Sequence, residues 1–251
     1  MVRGLEIFKE HFKEYSNNYV IIGGTACDII INREGLTPRA TKDIDIILVI
    51  EALSPEFVKH FWEFIKTGNY EVKEKSEEDR KYYRFLKPEN DDYPFQIELF
   101  SRIPDLLDLK EEAHLTPIPV DTEISSLSAI LMNDDYYNYT TQNSQLEMGV
   151  HLANTEALIA LKAKAFLDYK TRKENGEKID DRQLRKHKLD VFRLMLFLTP
   201  EDNFTPPDKD IIDFAETVQT DLPDKQIFKE MGAGNVNVEE LYQMLRKAFN
   251  L

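Results

Sequence analysis

Cysteine is almost absent from this 251-residue chain: Cys27 stands alone. An internal disulfide framework is therefore excluded, and a reducing compartment fits. Positive charge is also short, with 32 Lys and Arg against 46 Asp and Glu and a formal net charge of -14. That balance excludes a surface that coats DNA broadly, while leaving room for a local basic patch. No apolar run approaches the roughly 20 residues that span a bilayer, so no membrane association is expected. The opening MVRGLEIFKEHFKEY lacks the apolar core and small-residue cleavage site of a signal peptide, and the expected location is cytoplasmic. Neither a Gly-x-Ser-x-Gly elbow nor a P-loop occurs, which removes Ser-His-Asp hydrolysis and P-loop chemistry. His151 and His187 have no partner at metal-ligand spacing and read as structural or exposed. Internal repeats and low-complexity linkers are missing too.

What remains is an ordinary globular composition, 42% hydrophobic and 31% charged, in a chain long enough for one large domain or two modest ones. Residues 4–16 read as an amphipathic helix with Leu5, Phe8, Phe12 and Tyr15 on one stripe. YVIIGG (19–24) is a buried strand ending in a turn, and Thr25 to about Arg33 suits a helix. KDIDIILVI (42–50) alternates and then turns fully apolar, as a central strand does. Ser54-Pro55 marks a helix start over 55–67, and NYEVKEK, KYYRFLK and PFQIELFS follow as strands. Beyond Asp121, ISSLSAILM and QLEMGVHLA read as strands flanking a short helix at DDYYNYTTQ. From Asn154 the character is helical, with a long helix closed by Gly176 and three more at DDRQLRKHKLDVFRLMLFL, PDKDIIDFAETVQ and VEELYQMLRKAF. The fold class expected is α+β, a mixed β-sheet with flanking helices followed by a helical C-terminal half. The expected domains are 1–150 and 151–251.

Two carboxylates in one strand set the chemical question. Aspartate is a poor strand former, yet Asp43 and Asp45 project from one face of a strand whose other face carries Ile44 and Ile46. A divalent cation relieves the repulsion, and oxygen-only ligation favours Mg²⁺ or Mn²⁺. Gly23-Gly24 ends a strand and opens a helix, where backbone N–H groups can hold a phosphate and Thr25 can add a hydroxyl. The plainer reading of that pair is a tight turn. Glu98 is an acid within an apolar strand, costly to bury unless it is metal-bound or paired with Arg84 or Arg102.

Strand–Gly-Gly–helix, a strand with Asp-x-Asp and a later strand with an acid resembles, over Tyr19 to Arg102, the nucleotidyltransferase superfamily that includes DNA polymerase β. IGGTA, RATKDIDI and ALIALKAKAF…KHKLDVFRL are similar to the AbiEii-type group, known for toxins of bacterial toxin–antitoxin and phage-defence systems. That group places a lysine on the first C-terminal helix and an acid on the next, matching Lys162 and Asp190, with Lys188 beside the latter. The stretch from Gly24 to Asp43 is longer than in compact superfamily members.

The resemblance implies transfer of a nucleoside monophosphate from a nucleoside triphosphate to an acceptor hydroxyl, with Mg²⁺ or Mn²⁺ held by Asp43, Asp45 and Glu98. Gly23, Gly24, Thr25, Arg39, Lys162 and Lys188 would bind the nucleotide, and Lys162 and Asp190 would join the catalytic set. Between Lys162 and Arg193 eleven Lys and Arg outnumber six acids, a strip that can guide an RNA acceptor such as tRNA. Two solvated helix faces are the plainer reading of that strip. An antitoxin protein is the further partner implied. The rival reading is a non-catalytic nucleotide-sensing or protein-binding module on the same fold.

Overall fold

The computed structural model describes residues 2–72, 82–100 and 133–251. Among them, strands β1 (Tyr19–Ile22), β2 (Asp43–Leu48), β3 (Glu71–Val72), β4 (Tyr82–Leu86), β5 (Gln96–Phe100), β6 (Ser144–Glu147) and β7 (Val150–Ala153) form one seven-stranded sheet. Its order is β3-β4-β5-β2-β1-β7-β6. The β1–β7 and β2–β5 pairs are parallel and the remaining pairs antiparallel. Helices α1 (Leu5–His11), α2 (Gly23–Arg33) and α3 (Pro55–Thr67) accompany the first strands, and α4 (Asp134–Gln142) precedes the β6–β7 hairpin. The C-terminal part is helical: α5 (Thr155–Glu174), α6 (Asp181–Leu194), α7 (Asp210–Val218), α8 (Gln226–Glu230) and α9 (Val238–Ala248). This is the α+β architecture expected from the sequence. No helix among the described residues is long and apolar enough to cross a membrane.

Apolar patterning explains the layering. All four residues of β1 are buried, as are Ile44, Ile46, Ile47 and Leu48 of β2, so these two central strands are covered on both faces. Helix α3 starts where Ser54 Oγ accepts the Phe57 N–H at 3.2 Å, with Pro55 in the first turn. Its buried face carries Phe57, Phe61, Phe64 and Ile65, and the Phe8–Phe64 and Phe12–Phe61 ring centroids lie 5.8 and 5.9 Å apart. In the helical part, Asp210 accepts from the Tyr136 hydroxyl at 2.8 Å and pairs with Lys164 at 2.9 Å, tying α4, α5 and α7 together.

Three details depart from the sequence reading. The helix expected over 4–16 ends at His11 and continues as a 3-10 stretch over Lys13–Asn18, because Phe12 leaves helical geometry. QLEMGVHLA is two strands, not one: Met148 and Gly149 both take positive φ, the conformation a two-residue hairpin turn demands. Asn154 holds the N-cap position of α5 as expected, yet its side chain makes no capping bond. The strand expected at ISSLSAILM lies outside the described residues, as do Arg102 and, within NYEVKEK, everything after Val72.

The long segment between α2 and β2 also has a structural task. The Thr37 N–H donates to the Met231 carbonyl at 2.9 Å, so this loop is pinned to the C-terminal helices. It thereby delivers Arg39 and Thr41 to the space between the sheet and those helices.

Candidate active site

Register across the sheet assembles the acids. Ile22 of β1, Asp45 of β2, Glu98 of β5 and Arg84 of β4 occupy successive positions on one rung. Paired positions project to the same face, so Asp45, Glu98 and Arg84 stand side by side. Two residues along, on the same face, Asp43 pairs with Gln96. Arg84 places Nε and Nη2 at 2.9 and 2.7 Å from Glu98 Oε1, and Gln96 Nε2 donates to the same oxygen at 2.6 Å. Glu98 is thus paired with Arg84, one of the two partners its sequence context suggested.

The glycines fit closely around these acids. Gly23 has φ +68°, which lets the chain pass from extended β1 into α2 within one residue. A Cβ there would stand 1.9 Å from Asp45 Oδ2, so any side chain at this position displaces the carboxylate. Gly24 lies in the first turn, where N–H groups lack intrahelical acceptors and the helix dipole is positive. A Cβ on Gly24 would meet Thr41 Oγ1 at 2.7 Å and Arg39 Nη2 at 3.1 Å, so the Arg39 guanidinium lies directly over this turn.

Facing the sheet is a wall made by α5 and α6. Leu158, Leu161, Lys162, Ala165 and Tyr169 recur on one face of α5, and Gln183, Lys186 and His187 on one face of α6. Behind them Asp190, only 2% exposed, collects three cations. Arg39 donates through Nε and Nη2 at 3.0 and 3.2 Å, Arg193 Nη1 lies at 2.9 Å, and Lys162 Nζ at 3.4 Å. Between wall and sheet is a cleft of about 300 Å³.

Charge crowding governs ionisation here. Burial, reinforced by Asp45, pushes the Glu98 carboxyl up to about 8 despite the opposing Arg84 charge. Asp43 is raised by burial and then by Asp45. For Asp190, burial acts upward, but Lys162 and Arg39 outweigh it and hold the carboxyl well below the usual range. Lys186 is lowered by burial and by repulsion from Lys162 and Arg39. Desolvation of the His187 ring, with repulsion from Lys162 and Lys186, holds it well below its ordinary value, so it is neutral at pH 7.

Of the residues singled out in the sequence, Asp43, Asp45, Glu98, Gly23, Gly24, Arg39 and Lys162 line this one cleft, and Asp190 backs it. Two do not reach it. Thr25 is fully buried and donates its hydroxyl to the Asp43 carbonyl at 2.5 Å, fastening α2 to β2 instead of meeting a phosphate. Lys188 points to the far side of α6, where Nζ lies 2.5 Å from Asp221 Oδ2. Sequence reasoning missed Thr41, Arg84 and Gln96 as cleft residues, and Tyr169, Gln183, Lys186 and His187 with them. Helical phase held the clue to Lys186, which lies four residues before Asp190 and therefore on its face.

The carboxylates suit a hard divalent cation in donor type, since Asp43 and Asp45 offer oxygen and their mutual repulsion is what such an ion relieves. They are not a ready-made cage. Among the described residues no three His, Cys, Asp or Glu side chains converge closely enough to hold an ion alone. Mg²⁺ is commonly bound by one or two carboxylates that leave room for water and substrate phosphate oxygens, and an Asp-x-Asp pair at a cleft wall provides that arrangement.

No curated protein matches the chain. Residues 9–240 match the family described as nucleotidyl transferase AbiEii toxin, type IV toxin–antitoxin system, and the chain belongs to this nucleotidyltransferase family.

Proposed function

We propose that the protein is a metal-dependent, pyrophosphate-releasing nucleotidyltransferase that moves a nucleoside monophosphate from a nucleoside triphosphate to a hydroxyl of an RNA acceptor such as tRNA. It would act as the toxin of a pair whose antitoxin restrains it. The observation that carries this reading is the single cleft in which Asp43, Asp45 and Glu98 face Arg39, Lys162 and the first turn of α2. Asp43 and Asp45 would hold Mg²⁺ or Mn²⁺, with Glu98 joining them through the carboxylate oxygen not taken by Arg84 and Gln96. When bound, the ion supplies positive charge to the phosphate oxygens undergoing displacement.

The protein's own groups do the rest. First-turn N–H groups at Gly23 and Gly24 receive a phosphate, and Arg39 and Lys162 meet the remaining negative charge. Asp190 fixes both cations in place, so it is a positioning residue. Glu98, which the bound ion would hold as a carboxylate, takes the proton of the acceptor hydroxyl as that hydroxyl's oxygen bonds to the α-phosphorus. The bond from that phosphorus to the bridging oxygen breaks, and pyrophosphate leaves with the electron pair. Incubation with each nucleoside triphosphate labelled at the α-phosphate, Mg²⁺ and total bacterial RNA tests the proposal. Label joined to RNA supports it, and failure of all four nucleotides to label RNA overturns the RNA acceptor.

A further inference from the structure

We infer that Lys186 is a further side chain that meets the triphosphate of the incoming nucleotide, beside Arg39 and Lys162, an inference that rests on the nucleotidyltransferase reading. The cleft presents four side-chain cations from the described residues, and three of them already have a carboxylate partner. Arg39 and Lys162 are held by Asp190, and Arg84 by Glu98. Lys186 lines the same cleft and, among the described residues, makes no ion pair or hydrogen bond. It stands one helical turn before Asp190 on the same face of α6, and the charges of Asp43 and Asp45 act on it from across the cleft. Those acids attract it without contacting it, whereas Arg39 and Lys162 repel it.

A half-buried ammonium group with no acceptor among the described residues costs stability. A protein can keep such a charge where a ligand supplies the acceptors, and sites of this kind trade stability for function. The matching ligand is a multiply charged oxyanion. A triphosphate has the oxygens to satisfy three ammonium donors, and no described carboxylate is in contact with Lys186. Lys188, two residues further on, marks the contrast: it has turned about 200° around the helix and is neutralised by Asp221.

The test compares binding of the four ribonucleoside triphosphates and of inorganic tripolyphosphate, with Mg²⁺ present, to wild type, Lys186→Gln, Lys186→Arg and Lys188→Gln. Lys186→Gln is expected to weaken both ligand types about tenfold or more, the scale of one charge-assisted hydrogen bond. Lys186→Arg should recover most of that loss, and Lys188→Gln should stay close to wild type. Lys186→Met should fold and melt at or above the wild-type temperature, because it removes a half-buried charge with no partner among the described residues. A folded Lys186→Gln protein that binds both ligands like wild type overturns the inference. So does a loss confined to nucleosides with tripolyphosphate unaffected, and so does a Lys186→Met protein that melts well below wild type. Wild type that binds none of the nucleotides would instead bring down the nucleotidyltransferase reading itself.

Discussion

Replacing Asp190 by alanine removes the carboxylate on which Arg39, Lys162 and Arg193 converge at 3.0, 3.4 and 2.9 Å. Three cations are then left facing one another with no counter-charge. Breaking a buried ion pair from one side costs about 3–5 kcal/mol, because the abandoned charge keeps its desolvation penalty. Arg39 is 28% exposed on its side chain and can turn toward water, whereas Lys162 and Arg193 are at 8% and 12% and cannot do so easily. The expected loss is therefore about 3 kcal/mol, toward the lower end of that range. Asp190→Asn should lose nearly as much, since it retains shape and one acceptor but not the charge. Urea unfolding at pH 7 reads both values. Because the Asp190 carboxyl is depressed in the folded protein, its contribution is present above the unfolded aspartate value and is lost as pH falls through the depressed one. The deficit of Asp190→Ala should accordingly shrink in strong acid. A loss below about 1 kcal/mol at pH 7 would refute the reasoning, for it would mean that the three cations do not depend on this carboxylate.

Two further outcomes concern the acids. Asp43→Asn combined with Asp45→Asn should abolish Mn²⁺ or Mg²⁺ binding by calorimetry while leaving metal-free stability unchanged or higher, because like-charge repulsion is removed. A folded double variant with wild-type metal affinity would separate these residues from any ion. The Glu98 carboxyl is raised to about 8 in the folded protein, so the folded state keeps a proton that the unfolded chain has already released. Its contribution is complete below the unfolded glutamate value and is lost as pH rises through about 8. Metal-free stability should therefore decline over that interval, and Glu98→Gln should flatten the decline. A parallel pH profile in the variant would contradict the assignment.

Sequence legibility followed the range over which each signal acts. Alternation in KDIDIILVI placed Asp43 and Asp45 on one face, and Ser54-Pro55 fixed the start of α3, because both are local rules of backbone geometry. The pairing of Lys162 with Asp190 came from family likeness, since nothing in either helix alone requires them to meet. Lys188, implied by the resemblance, and Lys186, four residues before Asp190, differ in helical phase. Two residues reverse the face on a helix, whereas four restore it. Arg39 was legible as a cation near the acids, but its bidentate hold on Asp190 depends on a loop pinned by the Met231 carbonyl, a contact with no local signature. Arg84 was legible as a partner for Glu98, but the place of Arg84 and Gln96 beside Asp43 and Asp45 depends on cross-strand register, which is set when the strands pair. Thr25 was misplaced because α2 begins at Gly23, two residues earlier than expected, which turns its hydroxyl inward to β2.

Nucleotidyl transfer by way of the acids of this cleft is decided by parallel reactions with α-labelled and γ-labelled nucleoside triphosphate, in wild type and in Asp45→Asn. The expected result is label in the acceptor from the α-phosphate alone, label from the γ-phosphate released as pyrophosphate, and neither event in the variant. Transfer of the γ-label, or α-label transfer that survives in folded Asp45→Asn, would contradict it.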